Sequence, residues 1–138
     1  MVKLKNKTEV VKWQQEVNAL KSLPVSKNEA TLLFLGSSSI RLWDSIQQDM
    51  HPYFAINRGY GGAGLMDFVV YANELSAPHK AAAILLFVAN DITGSSEDLA
   101  PEKVLFYFKL AVKEIRESHP AAPIVWIEVT PTPSRWSV

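Results

Sequence analysis

The chain has no cysteine. That excludes disulfides, thiolate metal sites and a cysteine nucleophile, and leaves the redox setting of the protein open. It has no excess charge, since 14 basic and 14 acidic residues cancel to a formal net charge of zero. A neutral surface gives no general attraction to nucleic acid or to an anionic membrane. Long apolar runs are missing too, and none approaches the roughly 20 residues needed to cross a bilayer. The segment Met1–Lys12 is basic and polar without an apolar centre, so it does not read as a secretion signal. The expected location is cytoplasmic if Met1 is native, and outside the cell if a leader has been removed. Histidine is scarce, with three in all, and no His/Asp/Glu cluster converges at metal-ligand spacing. Neither a metal nor another cofactor is expected.

What is present is an ordinary globular composition, 48% apolar and 20% charged, in 138 residues, which predicts a single domain. Val10, Trp13, Val17 and Leu20 recur at helical spacing and predict a helix over Thr8–Ser22, stopped by Pro24. Thr31–Leu35 reads as a short buried strand, with a helix following from about Ser39 to Gln48. Tyr53–Ile56 predicts a second strand and Asn57–Gly64 a glycine-rich turn. Leu65, Phe68, Val69, Ala72 and Leu75 then mark a second helical stripe. The continuous apolar run Ala81–Val88 suits a strand covered on both faces. Ser95, Ser96, Asp98 and Pro101 supply helix-start chemistry for a third stripe, Val104 to Ile115, running to about Ser118. Ile124–Val129 predicts a fourth strand, ended by the prolines at 131 and 133. Strand and helix therefore alternate, which implies a parallel sheet between two layers of helices.

That topology sorts the polar residues. Ser37–Ser39, Asn57–Gly64, Asn90–Asp91 and Thr130–Arg135 all follow strands, so all fall on the carboxyl rim, where open α/β sheets bind their ligands. The serines either cap a helix or include a nucleophile in an anion-stabilising turn. With glycine amides and a carboxamide on the same rim, an acyl-transfer constellation becomes available: hydroxyl attack, with N–H groups holding the oxyanion.

Here the sequence resembles the SGNH, or GDSL-like, hydrolase family. Gly36-Ser37-Ser38-Ser39 with Trp43 looks like its first block, with serine in place of the usual aspartate. Asn57-Arg58-Gly59-Tyr60-Gly61-Gly62 looks like the second block, and Asn90-Asp91 like the third. The resemblance spans about Trp13 to Trp136. It implies a three-layer α/β/α, flavodoxin-like fold with Ser38 as nucleophile and an oxyanion hole from Ser38, Gly62 and Asn90. The implied substrate is a small-molecule ester, such as an acylated carbohydrate or a lipid. Arg58, Tyr60 and Arg135 are expected to line the mouth.

Two departures stand out. Val88 occupies a position where the family usually has glycine, two residues before the asparagine. The family's fourth block, Asp-x-x-His, with the fifth strand and last helix of its fold, does not occur before Val138. The expectation is an incomplete domain that is inactive or weak by itself, or a relative that binds without turnover. It would also leave strand four with an open apolar edge through which the chain could self-associate. The three histidines do not fill the gap. His51, His79 and His119 each precede a predicted strand, which puts them at the amino rim. A strand spans about 20 Å, whereas a general base works within about 3 Å of its proton. Each is read as a solvated connector residue. Asp44, Asp67 and Asp91 lie near the correct rim, but an unperturbed carboxylate is a weak base for serine. Asp91 is expected to be a cap or loop brace.

A different class of function remains. Gly59-Tyr60-Gly61-Gly62-Ala63-Gly64 fits the G-x-G-x-x-G dinucleotide fingerprint, although Val88-Ala89-Asn90 stands where its ribose-binding acid should be.

Overall fold

A computed structural model of the chain describes residues 7–130, 132 and 133, with side chains from Trp13 onward. The elements are α1 (Lys7–Lys21), β1 (Thr31–Gly36), α2 (Ser38–Arg41), α3 (Ile46–Asp49), β2 (Phe54–Gly59), α4 (Leu65–Ser76), β3 (Ala83–Phe87), α5 (Pro101–Arg116) and β4 (Ile124–Trp126). The four strands form one all-parallel sheet in the order β2-β1-β3-β4. This is the expected flavodoxin-like α/β architecture.

Strand β1 shows why the sheet is buried on both faces. Its residues alternate between two cores, as the two-residue period of a strand requires. Leu33 and Leu35 enter a large cluster with Trp13 and Val17 of α1, Phe68 and Leu75 of α4, and Ala111 and Ile115 of α5. Phe34 enters a smaller one with Ile40 of α2, Ile46 of α3 and Ala55 of β2. The two helix layers are therefore unequal. Three long helices cover one face, and two four-residue helices cover the other.

Several boundaries differ from the sequence expectations. The helix expected over Ser39–Gln48 is broken into α2 and α3. Trp43 lies on Phe34 with ring centroids 5.5 Å apart, and its indole N–H and the Ser45 hydroxyl both donate to the Asp49 carboxylate. These local bonds compete with the helical ladder. Leu42 is consequently turned outward. Strand β2 runs on to Gly59, so Asn57 and Arg58 are strand residues paired with Phe34 and Leu35 rather than turn residues. Strand β4 stops at Trp126 instead of Val129, although Ile127 still donates to the Leu86 carbonyl. Ser95 and Asp98 bond within their own loop, and α5 begins at Pro101, after Ala100. Among the described residues, no helix is long and apolar enough to cross a membrane.

Candidate active site

In the order β2-β1-β3-β4, chain connections leave β1 toward one neighbour and return toward the other. The switch point of such a sheet lies at the carboxyl end of β1, beside β3. Backbone bonds tie the rim together there. Ser37 N–H donates to the Phe87 carbonyl at 3.1 Å, and Tyr60 N–H donates to the Gly36 carbonyl at 3.0 Å. Gly36 has φ 153°, and a Cβ at that position would lie 2.1 Å from the Phe87 oxygen. Only glycine lets β1 leave the sheet this close to β3.

Ser37 then occupies the N-cap of α2 without donating or accepting a side-chain cap bond. None of the hydroxyls of Ser37, Ser38 and Ser39 makes a hydrogen bond among the described residues. That sets aside the capping role. Ser37 is buried, whereas Ser38 at the first helical position is half-exposed. Asn57 fixes α2 against β2 by donating from Nδ2 to the Ile40 carbonyl and accepting the Gly59 N–H. Sequence reasoning had placed Asn57 in a turn and missed this positioning role.

Gly62 and Asn90 follow the two strands that flank β1. Neighbouring strands are about 4.8 Å apart, so these segments and the Ser37–Ser39 turn leave the sheet from adjacent strands. Gly62 has φ 71°, a conformation that favours glycine. The Asn90 amide donates to the Ala63 carbonyl at 2.8 Å, which ties the two loops to each other. A carboxamide nitrogen carries two hydrogens, and this bond uses one. Gly62 and Asn90 also share a cleft of about 260 Å³ with Met66, Asp67, Leu99 and Tyr107. Ser38 stands outside the cleft lining. Leu99 and Tyr107 carry no motif and were not singled out in the sequence; the fold alone brings them here. Val88, at the position expected to be glycine, is 1% exposed and belongs to the main core.

Two of the three expected mouth residues are corrected. Tyr60 is fully buried, with its ring edge-on to Trp13 and Tyr71, and its hydroxyl has no hydrogen-bond partner among the described residues. Burial first, and the nearby Asp67 carboxylate second, push its phenol well above the usual range. Arg58 is also buried, and its guanidinium reaches back to the carbonyls of Asn57 and Pro24, away from the rim. Arg135 lies outside the described residues.

The aspartates behave as braces. Asp91 accepts the Leu65 N–H at 2.6 Å and Asp67 accepts the Gly64 N–H at 3.1 Å, so two carboxylates occupy the first amides of α4. This counts against the dinucleotide reading. A pyrophosphate needs those amides free, and here it would meet two negative charges.

The histidines are not at this rim. His51 is exposed in the connector before β2, as expected. His79 and His119 are buried rather than solvated, which corrects the expectation for both. His119 Nε2 lies 2.9 Å from the Ser76 carbonyl. Burial chiefly, and then the charges of Arg58 and His119, push His79 down to about 4 from 6.5. The unfolded chain therefore takes up a proton near pH 6.5 that the folded chain refuses until about pH 4. Stability is full above pH 6.5 and is lost as pH falls through that window, by at most about 3 kcal/mol. Urea midpoints measured from pH 7.5 to 4.5 should fall, and the fall should be shallower in His79→Gln. An identical pH dependence in the variant overturns the assignment.

The open, all-parallel sheet covered by helices on both faces places the protein in the class of doubly wound α/β folds. The chain is similar in fold to a Streptococcus pneumoniae protein provisionally described as a platelet activating factor. The TM-score is 0.68 at 20% identity, over 94% of this chain and 58% of that one. It is also similar to a Bacteroides fragilis protein provisionally described as an acylhydrolase, with a TM-score of 0.61 at 21% identity, over 89% of this chain and 58% of that one. The chain thus spans 58% of the length of each of these neighbours. No family model matches it, and no curated protein matches its sequence.

Proposed function

We propose that this chain carries the nucleophile and oxyanion hole of a serine ester hydrolase of the SGNH type. The observation that supports the reading is the Ser38 hydroxyl, which makes no hydrogen bond among the described residues and follows an inner strand whose two neighbours lead into the Gly62 and Asn90 loops. The fold shared with a protein described as an acylhydrolase supports the same class of substrate.

In this reading Ser38 Oγ attacks the ester carbonyl carbon and passes its proton to a base. The carbonyl oxygen takes the negative charge. The Ser38 and Gly62 backbone N–H groups and the second Asn90 Nδ2 hydrogen hold that oxygen. Collapse expels the alcohol, which takes the proton back from the base. Water then releases the acid from acyl-Ser38 by the same route in reverse. The chain's own histidines do not supply the base, since His79 and His119 are buried away from the rim and His51 lies before β2. That absence is the one observation favouring a binding protein without turnover, so the test supplies a base from outside. With p-nitrophenyl acetate and imidazole, peptide mass mapping should find the acetyl group on Ser38. Asn90→Ala should slow acylation by about 10²–10³-fold, the usual effect of losing one oxyanion donor. Acetylation spread over Ser37 and Ser39, or an unchanged rate in Asn90→Ala, counts against the site.

A further inference from the structure

Arg58 raises a separate question. It is 6% exposed, so its charge has been taken out of water. Its guanidinium donates to the Pro24 carbonyl at 2.7 Å and to the Asn57 carbonyl at 2.9 Å, which uses two of its five donors. Among the described residues no carboxylate lies within ion-pair distance of it. Glu74 borders the small cavity beside Arg58 and His79, but its carboxylate is paired with Lys21 at 2.8 Å. A buried cation without a counter-ion is costly, and proteins rarely keep one without a use for it.

Arg58 also lines a groove of about 500 Å³ that runs along the outer edge of β2. That volume falls within the range of small-molecule sites. The facing wall is the connector between α1 and β1, which contributes Leu23, Val25 and Lys27. Three apolar side chains are left open to solvent here, Leu23 at 45%, Val25 at 40% and Phe54 at 47%. Single exposed apolar residues are ordinary, but an apolar patch gathered in a groove with cations beside it marks a binding surface. The groove thus joins an apolar track to two positive groups, one of them buried and lacking an anion.

We propose that this groove binds an amphipathic carboxylate of the fatty-acid type, its head at Arg58 and Lys27 and its alkyl chain over Leu23, Val25 and Phe54. A planar carboxylate matches the guanidinium fork, and ligand binding supplies the counter-charge that the fold omits. The site is distinct from the Ser38 rim. It stands or falls independently of the hydrolase reading, because its test measures binding alone.

The test is a titration of the ¹⁵N-labelled 138-residue chain with decanoate below its micelle concentration, with decanol as the uncharged match. Decanoate should saturate and shift the amides of residues 23, 25–28 and 54–58, and decanol should bind about tenfold more weakly or worse. Lys27→Glu and Phe54→Ser should each weaken decanoate about tenfold while both variants still unfold cooperatively in the absence of ligand. Equal affinity for decanol, shifts centred on Gly62 and Asn90, or full affinity in both variants overturns the proposal. So does displacement of decanoate by an uncharged extended peptide, which would make the groove a strand-pairing edge instead.

Discussion

Replacing Ser38 with alanine should abolish the protein-dependent part of imidazole-supported p-nitrophenyl acetate hydrolysis. The hydroxyl is the only change at a half-exposed surface position, and it makes no hydrogen bond among the described residues. Folding should be untouched, with a stability change within about 0.5 kcal/mol. The rate must be compared with the variant at the same imidazole concentration, because imidazole attacks the ester unaided. Ser37→Ala and Ser39→Ala are the informative controls. Both neighbours lie in the same turn, but Ser37 is buried and Ser39 is exposed one residue further along α2. If either control loses as much activity as Ser38→Ala, the nucleophile has been misassigned. If Ser38→Ala keeps the wild-type rate, the rim is not a hydrolase site. Without imidazole, hydrolysis should stay near the Ser38→Ala background; robust turnover would reveal a base other than the three histidines.

The second large effect is on folding. Gly36→Ala should destabilise the chain by about 2–6 kcal/mol. A Cβ there would sit 2.1 Å from the Phe87 oxygen and 2.9 Å from its carbonyl carbon, on backbone at φ 153°. Neither neighbour is a flexible side-chain end. The Phe87 oxygen is itself held by Ser37 N–H, so relief means separating β1 from β3 at the rim. Backbone strain and overpacking each cost about 1–3 kcal/mol, against a total stability of about 5–15 kcal/mol for a domain. Gly61→Ala is the matched control. Its Cβ would meet the end of the Arg41 side chain at 3.0–3.3 Å, and that side chain can move. Its cost should be under about 1 kcal/mol. Urea denaturation followed by tryptophan fluorescence separates the two. Equal midpoints would show that the β1 exit does not need glycine.

These two residues are adjacent but for Ser37, and they show how differently parts of the chain could be read. Composition and periodicity were enough for the architecture. Apolar runs bounded by glycine and proline located every strand, and the stripes at Leu65–Leu75 and Val104–Ile115 located α4 and α5, because burial on both faces of a parallel sheet leaves that pattern in the residues themselves. The alternation of strand and helix also placed Ser38, Gly62 and Asn90 on one rim, since a parallel sheet puts every strand's carboxyl end on the same side. Side-chain direction was not legible in this way. Arg58 and Tyr60 sit in the second motif, yet one turns back to Pro24 and the other is fully buried between Trp13 and Tyr71. Their direction depends on which core each strand face meets, and that is set by α1 and α4 packing from distant parts of the chain. His79 and His119 were misread for the same reason: polar connector sequences look solvated until a helix is laid over them. Asp91 was legible as a brace, but its partner Leu65, 26 residues away, was not. Local periodicity and turn chemistry fix the order of the segments and which rim each serves. Only the packing of helices from far along the chain decides which side chains reach that rim and which are sealed beneath it.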